Sequence, residues 1–87
     1  MTAFQKRIKT FITDQCAVIA DSIVCKKTGE VEVKRSYYYT FGKTAENWAE
    51  DVAQALRSVD IQAKVTSRND FANWPKTSYF VAVITPV

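Results

Sequence analysis

The chain contains no histidine. Without an imidazole it lacks the commonest general base at neutral pH and the commonest nitrogen ligand for metal ions. Only 2 glycines are present, which leaves little room for a loop whose backbone wraps a phosphate. The 2 cysteines, Cys16 and Cys25, are too few for a disulfide-dense secreted scaffold, and their separation matches no metal-ligand spacing. No apolar run approaches the ~18 residues a membrane span needs. The first residues, Thr2-Ala3-Phe4-Gln5-Lys6-Arg7, show no secretory pattern. The expectation is a cytoplasmic chain with reduced thiols, no membrane contact, no cofactor and no bound metal.

What is present suffices for a core. Of 87 residues 47% are apolar, including 5 Phe, 4 Tyr and 2 Trp. A chain of this length forms one domain, residues 1–87, and buries roughly 60% of the surface its unfolded state exposes. Its net charge of +3 is uneven: residues 1–43 carry 8 basic and 4 acidic groups, residues 44–87 carry 4 and 5. A mildly basic balance admits nucleic acid or an acidic protein surface as partner and demands neither.

Phe4, Ile8, Phe11, Ile12, Cys16, Ile19 and Ile23 recur at helical spacing, and Thr2 with Gln5 fits a capping box. This predicts a first helix from about Ala3 to about Ile23. A competing reading makes Val18 to Cys25 a strand in a hairpin turning at Lys27-Thr28-Gly29. The helix is preferred because alternation leaves Phe4 to Ile12 unexplained. From Glu30 to Phe41 the period is 2, predicting a first strand with Val31, Val33, Arg35, Tyr37, Tyr39 and Phe41 on one side. Thr44 then caps a second helix striped with Trp48, Val52, Ala55, Leu56 and Val59. A second strand is expected over Ile61 to Thr66, a loop over Ser67 to Thr77, and a third strand, apolar on both sides, over Ser78 to Thr85. The fold class is α+β, a two-layer α-β-α-β-β arrangement. Its expected three-stranded mixed sheet has order 1-3-2 and packs against both helices on one face.

Chemistry-bearing patterns are few. Gly42-Lys43-Thr44 resembles the end of a phosphate-binding loop, but Tyr37 stands where the earlier glycine belongs, and Glu46 and Glu50 would repel a phosphate. It reads as an ordinary strand-to-helix turn. Cys16 lies on an apolar helix stripe with no base beside it, and reads as a core residue. Cys25, beside Lys26 and Lys27, is the better redox candidate and still reads as structural. Glu46, Glu50 and Asp51 form a solvated face favourable to the helix dipole. No catalytic residue emerges.

Surfaces remain. With both helices on the Val31 and Val33 side, Lys34, Tyr38, Lys64, Phe80 and Ile84 are expected together on an uncovered sheet face. Such a face suits a partner protein or a second subunit, and aromatics among lysines also suit single-stranded nucleic acid. Arg68, Phe71 and Trp74 mark a second candidate in the expected loop, and Lys6, Arg7 and Lys9 a basic patch on the first helix. The sequence reads as a non-enzymatic binding protein of adaptor or inhibitor type, able to self-associate through an open sheet face. The alternative is a nucleic-acid-binding protein using a basic and aromatic sheet face.

Overall fold

In the first helix, α1 (Ala3–Asp14), Thr2 and Gln5 form the expected capping box. The Thr2 amide donates to Gln5 Oε1 at 2.9 Å and the Gln5 amide donates to Thr2 Oγ1 at 3.1 Å. This is the computed structural model of the chain, and it describes residues 1–15, 18, 20–36, 44–73 and 77–87, without the side chains of 71–73 and 77.

The helix stops at Asp14, well short of Ile23, so the long first helix is corrected. Ser22–Cys25 is instead a strand, β1, paired antiparallel with β2 (Val31–Ser36). Spacing had suggested otherwise because Ile19 and Ile23, four apart, fit both a helix face and a strand face. Two physical facts favour the strand. Ile23 and Val24 are β-branched and lose side-chain freedom in a helix, and a short turn makes the hairpin cheap to close. In that turn Gly29 donates its amide to Lys26 O at 3.1 Å and Lys26 donates to Glu30 O at 2.9 Å. Gly29 sits at φ +96°, where a side chain would be strained. Asp21 extends the ladder, its amide donating to Lys34 O at 2.8 Å.

Gln5 ties α1 to this hairpin. It is 2% exposed, and its Nε2 donates to Lys26 O at 2.6 Å and to Glu30 O at 3.0 Å. Gln5→Leu keeps the volume and removes every one of these bonds, so it should lower stability by about 1–3 kcal/mol, read as a shifted urea midpoint. Gln5→Glu sets a carboxylate against two carbonyl oxygens. Its midpoint should therefore recover as the pH falls far enough to protonate it.

The second helix, α2 (Ala45–Arg57), has its own box: Asn47 N donates to Thr44 Oγ1 at 3.2 Å and Thr44 N to Asn47 Oδ1 at 3.3 Å. It ends in a Schellman turn. Asp60 adopts a left-handed φ of 57°, and Ile61 N reaches back to Leu56 O at 3.0 Å while Asp60 N reaches Arg57 O at 3.1 Å. Leu56 and Ile61, the usual apolar pair of this turn, are both buried. Val59 falls outside the stripe and is exposed.

β3 (Ala63–Asn73) and β4 (Thr77–Pro86) complete the sheet. The loop expected over Ser67 to Thr77 is corrected, because Ser67 to Asp70 pair residue by residue with Ala82 to Tyr79. Their polar composition suits a water-facing edge strand as well as a loop, and pairing with β4 decides between them. The three-stranded mixed sheet of order 1-3-2 is likewise corrected. Among the described residues four strands run in the order β1-β2-β4-β3, every neighbouring pair antiparallel.

Both helices contribute to one core on one face of the sheet. Ile8, Phe11 and Ile12 of α1 and Trp48, Val52 and Leu56 of α2 join Val31, Val33, Phe80, Ala82 and Ile84. Register explains the choice of face. Val31 lies opposite Ile84 and Val33 opposite Ala82, and residues directly opposite share a face.

Candidate functional site

The same register fixes the other face of the sheet. Three rows cross it: Glu32–Val83–Thr66, Lys34–Val81–Arg68 and Ser36–Tyr79–Asp70. Ion pairs run diagonally between rows and span the central strand. Arg68 donates through Nη1 and Nη2 to the two carboxylate oxygens of Glu32 at 2.8 and 3.1 Å. Lys34 Nζ lies 3.6 Å from Asp70 Oδ2 and 5.8 Å from the centre of the Tyr79 ring. Lys26 adds a longer contact to Glu32 at 3.8 Å. Val81, between Lys34 and Arg68 in its row, is fully buried on the face away from α1 and α2.

Glu32 is 4% exposed. The bidentate hydrogen bond from Arg68 holds its carboxyl below the ordinary 4.5. Burial opposes this, and the charges of Arg68, Lys26 and Lys34 add to it. The same hydrogen bond raises the Arg68 guanidinium above its usual value, so both groups are ionised at neutral pH. A carboxyl whose folded pKa is depressed contributes stability that is fully present above its unfolded value. That stability is lost as the pH drops through the folded value. The stability difference between the wild type and Glu32→Gln should therefore be constant near neutrality and shrink as the pH falls below about 4.5. Urea midpoints measured from pH 7 to pH 2 check this, and a difference independent of pH counts against the pair.

The sheet-face group is split by the fold. Lys34 and Lys64 share the face without helices, together with Arg68, while Phe80 and Ile84 lie in the core on the opposite face. Their placement on an uncovered face is corrected: alternation shows that two sets of side chains diverge, but not which set meets the helices. Tyr38 and Trp74 lie outside the described residues, as do Cys16 and the Gly42-Lys43 pair. Arg68 and Phe71 belong to β3 rather than to a loop. Lys6, Arg7 and Lys9 are exposed on α1. Cys25 is a free, half-buried thiol facing the core. Among the described residues no three His, Cys, Asp or Glu side chains converge as metal ligands, and no helix is long and apolar enough to cross a membrane.

Two features escaped the sequence reading. One is the role of Glu32 and Asp70, which pair with Arg68 and Lys34 across the open face. Their spacing of two from Lys34 and Arg68 was a signal that they share that face. The other is a groove of about 610 Å³ between α2 and β3, lined among others by Ala53, Leu56, Ile61, Ala63 and Val65, with Glu50 and Arg57 at its rim. A second hollow of about 390 Å³ shares Glu50, Ala53 and Val65 with it and continues to Ser67. The two run beside β3, a terminal strand of the sheet whose one strand neighbour among the described residues is β4. Nothing in the sequence marks this groove, because it exists only where a helix and an edge strand meet. In comparisons with known proteins, no family model, curated protein or solved structure matches the chain.

Proposed function

We propose that the chain is a small non-enzymatic binding protein, of adaptor or inhibitor type, that acts through protein–protein contacts. The observation that supports this reading is the edge of β3 beside the α2 groove. An unpaired edge offers backbone donors and acceptors to another strand, and an adjacent apolar groove receives alternate side chains of the incoming segment. On the open sheet face Lys34 and Arg68 already have carboxylate partners, which leaves Lys64 as the single further lysine of its strands among the described residues and speaks against a nucleic-acid site on that face. Lys6, Arg7 and Lys9, exposed on α1, are the observation that favours the second reading, binding of nucleic acid.

Light scattering on a size-exclusion column, at low and high salt and with or without a mixed single-stranded oligonucleotide, separates the two. Protein–protein action predicts an elution unchanged by the oligonucleotide. A complex whose affinity falls by about 0.7 log units per log unit of salt for each phosphate neutralised would favour nucleic acid instead.

A further inference from the structure

We infer that the edge of β3 pairs with β3 of a second copy of this chain, antiparallel about a twofold axis through Ser67, joining two four-stranded sheets into one of eight strands. The inference rests on the protein-binding reading above and names the partner. β3 presents a long, regular edge. It runs in unbroken register with β4 from Ala63 to Asp70, and this stretch contains neither proline nor glycine. The opposite edge, β1, is only four residues long.

Charge and the extent of regular strand together select the copy and the register. A twofold perpendicular to the sheet keeps both pairs of helices on one side and sets residues opposite one another on the same face. With the axis at Ser67, Lys64 lies opposite Asp70 of the second copy, and Asp70 opposite its Lys64. Lys64 is exposed and has no ion-pair partner among the described residues, while the Asp70 side chain is engaged by Lys34 at 3.6 Å and remains 33% exposed. Moving the axis one residue to Thr66 sets Lys64 against Arg68 of the second copy, and moving it to Arg68 sets two arginines against each other. Both alternatives place like charges directly opposite, which is destabilising. An axis at Asn69 sets Arg68 opposite Asp70, but Arg68 is already held by both carboxylate oxygens of Glu32, and the pairing would run past the irregularity that follows Asp70. On the covered face, the half-buried Ala53 lines the groove along this edge. Its small side chain leaves room for a second α2 to approach.

The test uses the full chain. Sedimentation of the wild type over a concentration series at low salt should show association toward twice the 9.9 kDa chain mass. Lys64→Glu makes both positions acidic and Asp70→Lys makes both basic. Each alone should weaken self-association about tenfold or more. An equal mixture should restore it, because the two carboxylates of the first variant, at positions 64 and 70, then stand opposite the two lysines of the second. Ser67→Cys tests the register should a charge variant fail to fold. Alpha carbons directly opposite in an antiparallel pair are about 4.5–5.5 Å apart, within disulfide range, so mild oxidation should give a covalent dimer faster than in the wild type. A wild type that stays monomeric throughout the series overturns the inference, as does a mixture that fails to associate or a Ser67→Cys chain that cross-links no faster. These outcomes leave the broader reading standing, since that reading fails on the oligonucleotide complex.

Discussion

Ile84→Lys should unfold the protein, whereas Val83→Lys, one residue away, should leave it folded. Ile84 is 0% exposed in the core between the sheet and the helices, in a row with Val31 and Val65. A lysine there has no carboxylate in its row, and leaving a buried charge uncompensated costs about 3–5 kcal/mol. The apolar contacts of the isoleucine are lost as well. A domain of this length has a total stability on the order of 5–10 kcal/mol, so little or nothing is left. Val83 points to the face without helices, half-buried, beside Glu32. A lysine at that position keeps its head in water and gains an acidic neighbour. Circular dichroism and urea melts of the two variants check the pair of outcomes. A folded Ile84→Lys with an unfolded Val83→Lys would show that the helices cover the other face.

Trp48→Ala should be the most damaging truncation in α2, at about 3–5 kcal/mol. The indole is 6% exposed and packs in the core, and its Nε1 donates to Val33 O at 3.0 Å. Trp48 thus links α2 to β2 both by packing and by a hydrogen bond that a buried indole requires. Trp48→Phe separates the two contributions. It retains most of the apolar area and gives up the donor, so a loss of about 1–2 kcal/mol is expected. If both variants lose the same amount, the hydrogen bond dominates and the packing assignment is wrong. Equilibrium unfolding monitored by far-ultraviolet circular dichroism suits both, since it does not depend on tryptophan fluorescence.

Local physics was legible wherever one segment determines its own conformation. The Thr2–Gln5 box requires only that two side chains lie three residues apart at a helix start, and it forms as read. Thr44 as the cap of α2, the stripe from Trp48 to Leu56 and the alternation of Val31 and Val33 are of the same kind. Failure began where two local readings were both permitted. Ile23 satisfies helical spacing from Ile19 and strand spacing toward Cys25. The competing hairpin over Lys27-Thr28-Gly29 prevails because Ile23 and Cys25 then stand beside Val33 and Val31 on the face the helices cover. The polar run from Ser67 to Asp70 gave no hint of a strand, since what orders it is the pairing offered by β4.

Capping, periodicity and composition act over a few residues, and they were enough to specify an α+β chain with two capped helices and amphipathic strands. Long-range contacts were needed to settle that four strands form the sheet, that Phe80 and Ile84 face the helices, and that Arg68 reaches Glu32 across the central strand. The place of the edge groove depends on them too. The reason is a property of strands. A pleated strand presents two faces and two edges, and a shift of one residue in register exchanges the faces. Which face is covered and which edge stays unpaired is set by partners distant in the chain, through contacts that no local pattern encodes.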